Sequence, residues 1–214
     1  MNSTQFAQMR QNMVDSQLRT NGVIDPWIIA AMGATAREKF LPDEKAAIAY
    51  MDRSVPLTGN RMLNPPLANG QMLQAADITP TDSILLVGTG PGYLAALLNG
   101  QGSELVAVED DAQLAAQART NVPGITLVEG PMQAGAPDHG PYSLILIDGA
   151  VEQLPAALLD QLAEGGRIVT GLIEGAVTRL ATGVKLGGHV ALRNLADLEV
   201  AALPGFERAK EFVF

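Results

Sequence analysis

The feature that most restricts the fold is a rhythm between residues 83 and 170, where short, continuously apolar runs are interleaved with helix-like segments. The runs at 83–87, 104–108, 125–128, 144–147 and 167–170 predict strands, and 92–98, 111–120 and 155–162 predict helices among them. A strand with no polar face needs both sides of its sheet covered, and crossover helices cover them when the strands run parallel. The expected fold class is therefore α/β, with a doubly wound, mainly parallel sheet. With 214 residues, 47% of them apolar, the chain is long enough to bury a core of that kind.

The text differs on either side of this region. Phe6, Met9, Met13, Val14 and Leu18 recur at spacings of three and four, which predicts a helix that Asn21-Gly22 ends. Asp25-Pro26 predicts a second helix, with a capping carboxylate and a proline in the first turn, and 43–50 a third. Residues 52–65 read as a loop, after which Asn64-Pro65-Pro66 opens a helix to about Ala76. Towards the C-terminus, 177–186 and 189–195 flank Gly187-Gly188, a hairpin signal, and 208–214 predicts a last strand. The whole is expected as one domain over 1–214. It divides into an N-terminal helical cap over 1–60 and a Rossmann-like core of about seven strands over 61–214, with a C-terminal antiparallel hairpin.

GTGPGY at 88–93 follows the first strand of the core. Glycines at 88, 90 and 92 remove side chains where a ligand must approach the main chain, and the next helix offers unpaired N–H groups. Glu109 ends the following strand, where a carboxylate can accept both hydroxyls of a ribose. Gly88, Thr89, Gly90, Gly92 and Glu109 are thus candidate contacts for a nucleoside-containing cofactor. A dinucleotide fingerprint asks for glycine at 93, which is Tyr93, so G-x-G-x-G suits S-adenosylmethionine better than a nicotinamide dinucleotide. The competing readings are a tight strand-to-helix turn for the glycines and a helix-capping acid for Glu109.

Several motifs in order resemble the protein-L-isoaspartate O-methyltransferases: MVDSQLRTNGVIDPWIIAAM, REKFLP, AYMDRSVPL, GTGPGYLAALL, PYSLILIDGA and LPAALLDQLAEGGRIV. The resemblance implies a class I methyltransferase fold, S-adenosylmethionine as methyl donor, and a protein or peptide substrate carrying isoaspartyl residues, whose side-branch α-carboxylate is esterified for repair. It also implies a serine or threonine at position 64, where this chain has Asn64. An asparagine can still donate an amide N–H to a carboxylate, which makes Asn64 the candidate catalytic residue; the other reading is a helix N-cap. Leu86 and Pro131 stand where the family pattern has an acid before the glycines and an aspartate towards adenine; Glu129, Met132 or Gln133 are possible substitutes. Asp148 stands where threonine is frequent, either facing the donor's amino end or forming a turn with Gly149. Asp52 and Arg53 would lie in the approach loop, with a surface ion pair as the alternative for Arg53. The changed positions leave a second reading, a non-catalytic relative that keeps the fold.

Composition removes other classes. The formal charge of −9 repels phosphate backbones and anionic lipid, so neither a nucleic-acid nor a membrane partner is expected. No apolar run approaches the ~18 residues of a membrane span. The start, MNSTQFAQMRQNM, lacks a signal-peptide layout. With no cysteine there is no thiolate chemistry, and a cytoplasmic location fits. His139 and His189 have no ligand-spaced partners, so no metal is expected.

Overall fold

A computed structural model describes residues 1–208; of the predicted strand at 208–214, all but Arg208 lies outside the described residues. The first helix, α1 (Ser3–Met13), opens with a capping box between Asn2 and Gln5. It continues through a π-helical turn (Val14–Leu18) and a 3₁₀ turn (Arg19–Asn21), ending on Gly22 at φ +82°. Asp25 caps α2 (Pro26–Ala34) as its spacing predicts, by accepting from the N–H of Trp27. The third predicted helix is a 3₁₀ segment, Asp43–Ile48. Residues 52–65, read as a loop, contain a small antiparallel ribbon, β1 (Val55–Pro56) and β2 (Met62–Leu63).

Helix α3 (Pro66–Ala76) is not capped by Asn64. Pro65 takes the cap position, and Asp52 Oδ1 accepts from Leu67 N at 3.0 Å instead. Asn64 is thereby released for another task.

The rhythm after residue 83 folds as expected. It gives β3 (Ser83–Val87), α4 (Tyr93–Leu98), β4 (Glu104–Glu109), α5 (Ala112–Asn121), β5 (Thr126–Glu129), β6 (Tyr142–Val151), α6 (Ala156–Gln161) and β7 (Leu162–Glu174). The hairpin follows as β8 (Val177–Leu186) and β9 (His189–Asp197). Gly187 and Gly188 have φ of +58° and +79°, the paired left-handed conformation that a two-residue hairpin turn needs. The seven-stranded sheet has the order β5-β4-β3-β6-β7-β8-β9, parallel through β7 and antiparallel beyond.

Register decides what meets at the carboxyl ends. Val87 pairs with both Val108 and Ile147, so the next residues along, Gly88, Glu109 and Asp148, leave three adjacent strands side by side. Side chains alternate in strands. Ile84, Leu86, Ala107, Leu144 and Leu146 pack with Met13, Leu18, Ile28 and Met32 of the N-terminal helices, whereas Leu85, Val87, Val106, Val108 and Ile147 pack on the opposite face. By parity, Glu109 and Asp148 project towards the helical cap. The N-terminal segment can therefore reach them.

The opposite end of the sheet is tied by Asp82. It accepts from Ser143 Oγ at 2.6 Å and from both terminal nitrogens of Arg167, at 2.9 and 2.7 Å. The Arg167 hydrogen bonds hold the Asp82 carboxyl well below the usual carboxylate range, assisted by Ser143 and Thr79. A depressed folded-state pKa means that the unfolded chain binds the proton first as pH falls, so this contribution is complete above about pH 4 and is lost below it. Asp82→Asn is expected to lower the urea midpoint at pH 7 by the equivalent of about 2 kcal/mol and to flatten the acid limb between pH 4 and 2. Equal midpoints for the two proteins at pH 7 would contradict it.

Candidate functional site

Gly88 (φ +77°), Gly90 (φ +54°) and Gly92 (φ +96°) all take the left-handed backbone that permits the turn from β3 into α4. Gly92 also lets α4 approach α5, since a Cβ there would lie 3.2 Å from Ala118 Cα. Thr89, between Gly88 and Gly90, is 1% exposed, and its Oγ1 is buried with no hydrogen-bond partner among the described residues.

Glu109 is fully buried at the end of β4 and turns back to the loop, where Oε2 accepts from Gly90 N at 2.7 Å. Its Oε1 accepts from the N–H groups of Asp110 and Asp111, both at 3.2 Å. The capping acid of α5 is Asp111, which accepts from Gln113 and Leu114, so the capping alternative for Glu109 does not describe its position.

The space over the loop, expected to be open, is filled. Arg61, carried on the β1–β2 ribbon, forms a two-pronged ion pair with Glu109: Nη1 to Oε1, and Nη2 to Oε2 at 3.0 Å. The side chains are 8% and 0% exposed. Leu203 lies beside it, with Cδ1 3.0 Å from where a Cβ on Gly88 would stand. Leu57 of the same ribbon covers Gly90 at 3.7 Å by that measure. Residues 88–92 are consequently buried throughout. The segment bearing Leu203 is held along β6 by Ala150 N to Ala201 O (2.7 Å) and Leu203 N to Ala150 O (2.8 Å).

Asn64 and Asp148 meet directly. Asn64 Nδ2 donates to Asp148 Oδ1 at 2.6 Å, and Asn69 Nδ2 donates to the same oxygen at 3.1 Å. Asn64 Oδ1 accepts from Ala201 N at 2.8 Å, which orients the amide with its NH₂ towards the acid. Asp148 lies within β6 rather than in a turn with Gly149, because Ala150 and Val151 still pair with Gly171 and Leu172. Burial pushes its carboxyl above the usual range, opposed by the two asparagines and by the charges of Arg61 and Arg37. No hydrogen bond reaches its Oδ2 among the described residues.

Arg37 supports this pair from beneath. Fully buried, it donates from Nε to Ala49 O (2.8 Å), from Nη1 to Asn69 Oδ1 (3.2 Å) and from Nη2 to Asn64 O. Its guanidinium lies over the Tyr93 ring, 4.7 Å from the centroid.

Arg37, Arg61, Asn69 and Leu203 are absent from the candidates of the sequence reading. REKFLP contains Arg37, but an arginine in the charged run Arg37-Glu38-Lys39 carries no sign of complete burial. Nothing in the text around Leu203 marks it. The substitutes considered for Pro131 are engaged elsewhere: Glu129 with Arg119 at 3.0 Å, Met132 beneath Arg61 at 3.7 Å, and Gln133 with Gly205 O at 2.6 Å. Arg53 is exposed and in no ion pair among the described residues. Those residues hold no group of three or more His, Asp or Glu side chains suited to a metal, and no helix long and apolar enough to cross a membrane.

The cradle suits the adenosyl ligand in three respects: left-handed glycines at 88 and 90, an unpartnered hydroxyl on Thr89, and a carboxylate aimed at the loop. The volume above it is taken by Arg61 and Leu203, both side chains.

Comparison with known proteins follows the same lines. Residues 8–201 match the family model described as protein-L-isoaspartate(D-aspartate) O-methyltransferase. A Koribacter versatilis protein-L-isoaspartate O-methyltransferase is 35% identical over 207 residues, covering 94% of this chain and 93% of the relative. One from Herpetosiphon aurantiacus is 32% identical over 214 residues, 96% of each chain. Among solved structures, a Plasmodium falciparum protein assigned to the same methyltransferases, in complex with S-adenosyl-L-homocysteine, superposes with a TM-score of 0.76 at 19% identity, over 91% of this chain and 97% of that one.

Proposed function

The chain belongs to the protein-L-isoaspartate(D-aspartate) O-methyltransferase family, and from that premise we propose that it methylates the free α-carboxylate of isoaspartyl residues in damaged proteins or peptides, with S-adenosylmethionine as donor. The observation that carries the proposal is the meeting of Glu109 with Gly90 N–H beside the unpartnered Thr89 hydroxyl.

S-adenosylmethionine supplies a methyl on a sulfonium, and the acceptor carboxylate is already a nucleophile, so alignment rather than proton removal is what the protein must provide. That suits a centre with no histidine and no cysteine. In this reading Gly88 and Gly90 present bare main chain to the methionine portion, and Thr89 offers a hydroxyl. Glu109 would accept from the two ribose hydroxyls, and Asp148, whose Oδ1 holds Asn64, would offer Oδ2 to the donor's ammonium.

Asn64 is the acceptor-orienting group. Its Oδ1 is committed to Ala201 and one amide proton to Asp148, which leaves one N–H for a substrate carboxylate. A neutral amide attracts a carboxylate less than a cation would, but it leaves the nucleophile's charge in place. Gly92 would contribute main chain only, since the side-chain direction at that position is occupied by Ala118 and Val122.

The test is transfer of radiolabelled methyl to a peptide pair differing only in one isoaspartyl or aspartyl linkage. Base-labile label on the isoaspartyl peptide, at least ten-fold above its aspartyl twin, is the expected result. Equal labelling, or none, would remove the assignment.

A further inference from the structure

We infer, on the basis of the donor-binding reading above, that the crevice of the free protein is latched shut by its own Arg61 and Leu203, and that the donor enters by taking Arg61's place on Glu109. The Glu109 carboxylate accepts five N–H bonds: one from Gly90, one each from Asp110 and Asp111, and two from Arg61. An ionised carboxylate has about four lone-pair sites, so it has no capacity to spare. The three backbone donors belong to the turn and stay. Only the two guanidinium donors can leave, and the vicinal hydroxyls of a ribose bring two donors to the same pair of oxygens. The exchange is two for two, and ligand and arginine cannot be held together.

Breaking a buried ion pair is costly when one partner is stranded. Arg61 is not stranded. The Asp110 carboxylate stands 3.4 Å from the same Nη1, and its side chain is 42% exposed, so a short swing carries the guanidinium to a wetter partner. The mount is small: Arg61 N donates to Thr58 O and Leu57 N to Arg61 O, closing a ribbon whose tip at Gly59 and Asn60 is exposed. Leu203 is the fixed half. Its backbone is bonded to Ala150, and its Cβ would stand 2.7 Å from a Cβ at Gly149, so only rotation of the side chain clears Gly88.

A latch of this kind lowers apparent affinity by the fraction of protein that is open. Calorimetric titration with S-adenosylhomocysteine of the wild type and of Arg61→Gln, Leu203→Ala and Asp110→Asn tests it. Arg61→Gln is expected to bind at least ten-fold tighter than the wild type, and Leu203→Ala several-fold tighter. Asp110→Asn should weaken binding in the wild type but not in the Arg61→Gln background, because the acceptor of the displaced arginine matters only while there is an arginine to displace. If Arg61→Gln does not fold, Leu203→Ala and the Asp110→Asn effect carry the same decision. Equal or weaker binding by Arg61→Gln and Leu203→Ala, or an Asp110→Asn effect that is the same in both backgrounds, overturns the latch while the donor reading stands. Absence of binding by every protein, wild type included, removes both.

Discussion

Glu109→Gln is expected to weaken S-adenosylhomocysteine binding by about 100-fold or more in calorimetric titration, even though it also releases Arg61. Two opposing effects meet at this residue. Loss of the carboxylate frees the guanidinium to pair with Asp110, which opens the crevice and favours the ligand. The same substitution replaces an acceptor-only, charged pair of oxygens with one neutral oxygen and an NH₂, so one ribose hydroxyl meets a donor instead of an acceptor. Hydrogen bonds to a charged group contribute about 1.5–3 kcal/mol each, and leaving one unmade adds a desolvation cost, so the loss exceeds the gain from opening. Combining Glu109→Gln with Arg61→Gln should show the full loss, because the latch is already open in that background. A ten-fold or smaller change in both backgrounds would exclude Glu109 as the ribose acceptor.

The second large effect is on stability. Arg37→Met is expected to destabilise the protein by about 4 kcal/mol, measured by the urea midpoint at constant slope. The substitution roughly keeps the volume of the side chain but strands three acceptors, Ala49 O, Asn64 O and Asn69 Oδ1, in a place with no access to water. It also removes a cation that opposes the upward push of burial on Asp148. Arg37→Lys should recover only part of the loss. An ammonium cannot reproduce the planar fork that serves three acceptors and rests on the face of Tyr93. A change under about 1 kcal/mol for Arg37→Met would mean that these bonds are replaced rather than lost.

Both effects rest on residues that a linear reading treats unequally. Glu109 was legible because its position is set by local rules: a strand of known length after a glycine turn must end near residue 109, and the carboxyl end of a parallel strand is where ligands meet a doubly wound sheet. The hairpin at Gly187-Gly188 and the cap at Asp25 were legible for a similar reason, since each depends on a few neighbouring residues. For Asn64 the sequence offers two readings, an acceptor-orienting group and the N-cap that Pro65 and Pro66 suggest, and the structure removes the second. Its amide instead joins Asp148, 84 residues on, and Ala201, 137 residues on. A short polar side chain takes whichever partner the fold delivers, and no local pattern states which.

Alternation of apolar strands and helices, left-handed glycines and an acid at the end of the second core strand determined the architecture and the place of the candidate site, because backbone period, turn geometry and side-chain parity act over a few residues at a time. Whether that place is open or closed was decided only in three dimensions. Arg61 reaches Glu109 across 48 residues of chain, and Leu203 comes to Gly88 from beyond the last described strand. Such contacts arise from packing of distant segments against a common sheet, and they depend on shape and charge at the point of meeting, which the order of residues along the chain does not display.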